Sequence, residues 1–233
     1  HDAKVYDKGM VTVLEIMGRN AGWLTAASAL AAHKGYGPDL IYLPEVPFDL
    51  DSFMEEVTRI YAKNNNVIVA VSEGIKDKDG RYISEYGSDL AKSKDAFGHA
   101  QLGGLAATLA NFVKQKTGAK VRGIEFSLLQ RCAAHIGSLT DVNEAYMAGQ
   151  AAVQNAVQGI TDKMVAFERA EGSEYKCNIK LVDLTAVANT EKKVPLEWIT
   201  NNGTWVSKEF IDYALPLIQG ESRPPMVDGL PRF

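Results

Sequence analysis

Four short, apolar-rich runs, Met10–Ile16, Leu40–Leu43, Asn66–Val71 and Lys120–Phe126, recur along the first half of the chain with a longer amphipathic segment between each pair. Three of them are rich in Val and Ile on consecutive positions. That is the composition of strands covered on both faces, whereas a strand with one wet face alternates apolar and polar residues. The intervening segments, Gly22–Lys34, Leu50–Asn64 and Gly103–Thr117, carry helical periodicity, the second opened by Asp49 or Asp51 as a capping residue. This βαβα order predicts an α/β fold, a mostly parallel sheet with helices on both faces in a Rossmann-like, three-layer stack. Further on, Asp141–Gln158 reads as a long helix opened by Thr140 or Asp141, with Ala145, Ala148, Ala151, Ala152 and Ala156 as a small-residue face. Met164–Arg169 and Lys176–Asp183 read as an antiparallel pair at a sheet edge, Val206–Leu217 as a last helix, and 220–233 as a surface tail.

The composition supplies enough apolar residues for a full core: 233 residues, 46% hydrophobic and 23% charged, fit one large domain or two small ones. A net charge of -4 with both signs interspersed disfavours a nucleic-acid or anionic-membrane surface, so an anion site has to be a local cluster of arginines. Cys132 and Cys177 have no second Cys or paired His at zinc spacing, which predicts buried, reduced thiols in a cytoplasmic protein. No apolar run approaches the ~20 residues that span a bilayer, and the start at His1-Asp2-Ala3 lacks the order of a signal peptide and reads as processed, truncated or tag-derived.

Three strand ends carry chemistry. Val11–Ile16 runs into Met17-Gly18-Arg19-Asn20-Ala21-Gly22, a glycine turn that delivers an arginine to the carboxyl edge of the sheet, where open α/β sheets bind phosphorylated ligands. Val67–Val71 ends at Ser72-Glu73-Gly74; a buried, unpaired carboxylate there costs several kcal/mol, so Glu73 either caps backbone or holds a ligand hydroxyl. The third, Val121-Arg122-Gly123 through Gln130-Arg131, places an arginine at each end of a strand-bearing segment. Guanidinium forks suit a phosphate dianion because they offer paired donors and stay charged at any working pH. Read as extended chain, the nine residues between Arg122 and Arg131 span roughly 30 Å and turn the two side chains to opposite faces, so one phosphate cannot take both from one copy.

Met17–Gly22 resembles the Met-Gly-Arg motif of the phosphofructokinase family, in which those residues touch fructose 6-phosphate. The resemblance implies that Glu73 binds the sugar's hydroxyls and that Arg122 and Arg131 take its 6-phosphate, with sites completed across subunits in a homodimer or homotetramer. It also implies a phosphofructokinase-type fold. Looser similarity runs through Tyr42–Phe48, Gln101–Gly104 and Tyr146–Ala156, so nearly all of 1–233 aligns with the sugar-binding part of the family. Two positions depart. Bacterial ATP-using members carry a histidine where Leu128 stands and a subunit-bridging arginine where Met10 stands; Lys4, Lys8 and His135 are candidates to compensate.

The family's donor segment, Gly-Gly-Asp, and its Thr-Ile-Asp motif, whose aspartate activates the sugar's 1-hydroxyl, are missing. The expectation is therefore the carboxyl-terminal part of a longer 6-phosphofructokinase, inert alone, with Mg²⁺ held by residues outside this chain and Arg19 available to stabilise the transferring phosphoryl group. Asn20–Leu24 and the absent histidine resemble the pyrophosphate-dependent branch more than the ATP-dependent one. A non-catalytic sugar-phosphate module or sensor is the alternative, and a generic nucleotide domain is weakened by the lack of Gly-x-Gly-x-x-Gly after any strand.

Overall fold

The structure is a computed structural model and describes residues 9–87, 104–172 and 174–232; Lys4, Lys8, His99 and Gln101–Gly103 lie outside the described residues. The chain divides into two compact units, His1–Gln130 with Lys193–Ile211, and Arg131–Lys192 with Asp212–Phe233.

In the first unit β1 (Met10–Ile16) lies between β3 (Asn66–Ser72) and β4 (Lys120–Glu125), and β2 (Leu40–Tyr42) flanks β3, giving an all-parallel sheet of order β2-β3-β1-β4. The chain steps one way along the sheet from β1 to β2 and the other way from β2 through β3 to β4. Right-handed crossovers then put α1 (Trp23–Ala27) and α2 (Ala29–Ala32) on one face, and α3 (Leu50–Asn64) and α4 (Leu105–Thr117) on the other. Val11, Val13, Val67, Val69 and Val71 meet Phe53, Val57, Leu105, Leu109 and Val113 in the main core. Phe53, wholly buried, lies 5.6 Å from the Tyr42 ring and 5.4 Å from the Phe48 ring. Phe53→Ala is expected to lower stability by ~3–5 kcal/mol through the cavity it leaves, seen in urea as a lower midpoint at unchanged slope.

Met10–Ile16 and Leu50–Asn64 coincide with the sequence reading, and Asp49 caps α3 by accepting from Ser52 N at 2.7 Å. Gly22–Lys34 differs, because it forms two short helices broken at Ser28, whose hydroxyl donates to Thr25 O at 2.6 Å and tightens the turn. The extended reading from Arg122 to Arg131 is overturned. The strand stops at Glu125, Ser127 takes a positive φ of 43°, and Ser127–Arg131 coils into a 3₁₀ helix, so neither the ~30 Å span nor the face parity holds.

The second unit holds α5 (Leu139–Val157), whose cap is Ser138 rather than Thr140 or Asp141: its Oγ accepts from Asp141 N at 3.2 Å and donates to Leu217 O at 2.6 Å. Ala148 and Ala151 of the small-residue face are half-buried, while Ala145, Ala152 and Ala156 are exposed. β5 (Lys163–Arg169) and β6 (Cys177–Asp183) pair antiparallel as a sheet of their own, not as an edge of the parallel sheet. The Arg169 guanidinium stacks between the Tyr175 and Tyr213 rings, and Tyr175 OH donates to Glu144 Oε1 at 2.6 Å. The last predicted helix shortens to Lys208–Ala214 followed by a 3₁₀ turn through Pro216, and the tail folds back as a small hairpin, Met226–Val227 against Leu230–Pro231. Both cysteines are free thiols, but Cys132 is exposed and Cys177 half-buried, which corrects the expectation of buried thiols. Among the described residues no helix is long and apolar enough to cross a membrane.

Candidate functional site

Neighbouring strands β1 and β3 send their following chain to opposite faces of the sheet, and such a switch point opens a crevice beyond the strands' carboxyl ends. Two of the three candidate motifs flank it. Met17–Gly18–Arg19 leaves β1 there, with Gly18 at φ +151°, and Glu73 leaves β3.

The loop after β1 is held by bonds from sequence-distant residues. Gly18 N donates to Glu73 Oε1 at 3.3 Å, the Ser72 hydroxyl donates to Gly18 O, and Glu73 N donates to Ile16 O at 3.0 Å. From the other side Met17 N donates to Gln130 Oε1 at 2.7 Å, and Phe126 N to Glu15 O at 3.2 Å. The bonds to Ile16 O and Glu15 O are the last rungs of the β1–β3 and β1–β4 ladders, and those to Met17 N, Gly18 N and Gly18 O satisfy backbone groups that have turned out of them, so the loop's path is fixed before any ligand arrives. Beyond the turn, Glu45 Oε1 accepts from Gly22 N at 2.8 Å and from Val194 N at 2.9 Å, and Trp23 stacks on Phe210 at 6.0 Å.

Met17, Gly18, Arg19 and Glu73 are thus gathered at one sheet edge. Leu128 is 65% exposed on the 3₁₀ helix whose Gln130 reaches Met17, and Arg131, also exposed, ends that helix as the first residue of the second unit. Arg122 is not at this edge: it pairs in register with Thr12, four residues back from Ile16, or roughly 13 Å along the strand. Met10, where ATP-using members have an arginine, is 2% exposed and core-facing. His135 is exposed in the second unit.

Sequence reasoning passed over Gln130, Glu45 and Glu15 as site residues. The first two act on backbone N–H groups 113 and 23 residues away, and no local spacing encodes that. Glu15, 3% exposed within β1, had a signal in its charge amid an apolar run. Its Oε2 accepts from Ala106 N at 2.8 Å, yet burial, together with the nearby Glu125 and Glu73 carboxylates, pushes its pKa up to about 7.

A parallel sheet whose switch-point loops carry an arginine and a carboxylate at its carboxyl edge defines an α/β protein of the open, doubly wound kind. A family model described as Phosphofructokinase matches residues 3–125, and the chain belongs to that family. It is 41% identical over 224 residues to a pyrophosphate–fructose 6-phosphate 1-phosphotransferase of Methylococcus capsulatus, a match covering 96% of this chain and 52% of that protein. A protein of the same description from Halomonas elongata is 41% identical over 223 residues, covering 95% of this chain and 52% of its own length. Among solved structures, the pyrophosphate-dependent phosphofructokinase of Marinobacter aquaeolei superposes with a TM-score of 0.80 at 38% identity, covering 95% of this chain and 51% of that one. The chain therefore spans about half the length of the relatives it matches.

Proposed function

We propose that this chain is the fructose 6-phosphate-binding portion of a 6-phosphofructokinase that moves a phosphoryl group from pyrophosphate to the sugar's 1-hydroxyl. The observation that carries the reading is the fixing of Met17–Gly18–Arg19 at the switch point by Glu73 on one side and Gln130 on the other. In this reading Met17, Gly18 and Arg19 meet the sugar at its reacting end. Glu73, with one carboxylate oxygen engaged by Gly18 N, offers the other to sugar hydroxyls. Arg131 and Arg122 take the 6-phosphate, Leu128 lying along the pocket in place of the family histidine.

Pyrophosphate as donor is supported by the names that the matched relatives carry. The position of Arg122, roughly 13 Å behind the carboxyl edge, supports its service to the site of a second copy and hence a homodimer or larger homo-oligomer. Mg²⁺ would neutralise the donor's phosphates. Among the described residues no group of three or more His, Cys, Asp or Glu stands together to hold a metal.

Calorimetry with fructose 6-phosphate on this chain and on Arg131→Ala tests the reading. Losing a charge-assisted phosphate contact should weaken binding about tenfold to a hundredfold. An isotherm unchanged by the substitution, or no binding by the parent chain, would sink it.

A further inference from the structure

Among the described residues, helix α4 has no local side-chain N-cap. Gly104 at that position is left-handed and has no side chain to accept from the first turn, whose N–H groups an α-helix leaves without intrahelical partners. The missing acceptor comes from the middle of the sheet. Glu15, on the face of β1 that also carries Val11 and Val13, reaches Ala106 N at 2.8 Å with Leu105 N beside it. A second, independent feature makes the approach possible: a Cβ on Gly123 of β4 would stand 2.6 Å from Ala106 O, so the first turn of α4 lies directly on the β1–β4 pair.

We infer that Glu15 is a positioning residue for the loop it leads into: by capping α4 from β1 it ties the helix's first turn to the strand end, and it passes the charge state of its own carboxyl to the Met17–Gly18–Arg19 backbone. The path is short. Glu15 O accepts from Phe126 N, Ile16 O from Glu73 N, and the next two N–H groups are those fixed by Gln130 and Glu73. Ionised, the carboxylate makes a charge-assisted bond to Ala106 N; protonated, it keeps only a weaker neutral one. Among the described residues, the charged groups facing it are Glu125 on β4 and Glu73 after β3, both repulsive. The first two turns of α4 carry no charge before Lys114, Glu85 stands on the 3₁₀ turn packed against α4, and Arg122 points to the sheet's other face. With its proton lost near pH 7, the tie changes strength in the neutral range. Its consequence for sugar phosphate rests on the function proposed above, whereas the coupling itself does not.

The test is amide NMR of the ligand-free chain from pH 5 to 9; leaving out sugar phosphate avoids the phosphate's own titration near pH 6. The Leu105 and Ala106 amides and those of Gly18 and Arg19 should shift together with one midpoint near 7, and Glu15→Gln should remove that titration at both ends. Should the variant fail to fold, a ¹³C-labelled Glu15 carboxyl in the unaltered chain must titrate at the midpoint shared by both amide groups. Flat amides, movement at Ala106 alone, or a Gly18 midpoint that survives Glu15→Gln or differs from the carboxyl's would overturn the inference. Absence of fructose 6-phosphate binding would instead count against the proposed function alone.

Discussion

Gly74→Ala is expected to weaken fructose 6-phosphate binding by about a hundredfold while the sheet stays folded. A Cβ at residue 74 would stand 1.7 Å from Arg19 O and 2.4 Å from Arg19 C. Those are backbone atoms, so no rotamer change relieves the overlap, and one of the two loops has to retreat by more than an ångström. The retreating atoms belong to the arginine and carboxylate loops themselves, and misplacing such groups by ~1 Å is enough to cost about two orders of magnitude. The cost to stability is smaller, ~1–3 kcal/mol as for other overpacking, because the loops lie at the sheet edge and not in the main core. Gly149→Ala in α5 is the control: its Cβ meets nothing within 4 Å, and the change should leave binding alone. Calorimetry on the pair decides the matter, and a Gly74→Ala isotherm equal to the parent's would show that the contact between these loops is irrelevant to the ligand.

The parts of the fold that were legible are those where one physical cause dominates. Met10–Ile16 and Leu50–Asn64 were readable to the residue because a buried parallel strand and an amphipathic helix each impose a single period, and Asp49 and Asp51 together marked the helix start, of which Asp49 is the cap. The break at Ser28 and the 3₁₀ coil at Ser127–Arg131 were not, because neither contains Gly or Pro; each depends on a hydroxyl back-bond or a positive φ that the one-dimensional pattern does not display. Ser138 was legible and overlooked: Ser138-Leu139-Thr140-Asp141 has the Ser-x-x-acid spacing of a capping sequence. Among the site residues, Gly18 and Glu73 announced themselves as a glycine and a carboxylate at the ends of buried strands. Gln130 and Glu45 could not, since their roles depend on which loops the sheet order brings together. The burial argument applied to Glu73 holds with more force for Glu15, which lies inside a strand rather than at its end.

Glu15 also sets the second large effect. In the unfolded chain its carboxyl ionises near the ordinary 4.5, whereas in the folded protein burial holds the proton until about pH 7. Between those values the unfolded state binds fewer protons than the native state, so stability falls as pH rises through this window and levels off above it. The contribution lost is about 3 kcal/mol, a sizeable share of a typical domain's margin. Glu15→Gln keeps the shape and an acceptor oxygen for Ala106 N but has no proton to lose. Carboxylates that do not interact with Glu15 are common to both proteins and cancel in the difference, so the comparison isolates Glu15 together with the Glu125 and Glu73 charges that act on it. The unfolding free energy of Glu15→Gln minus that of the parent, from urea titrations, should therefore grow by about 3 kcal/mol between pH 4 and pH 8, most of it between 4.5 and 7. A difference that stays constant with pH would mean that the carboxyl ionises as easily in the native state as in the unfolded chain. A difference that grows and is positive at pH 8 would show that the fold retains at this position an acid that a neutral isostere could replace with a gain in stability, as sites kept for function and not for stability do.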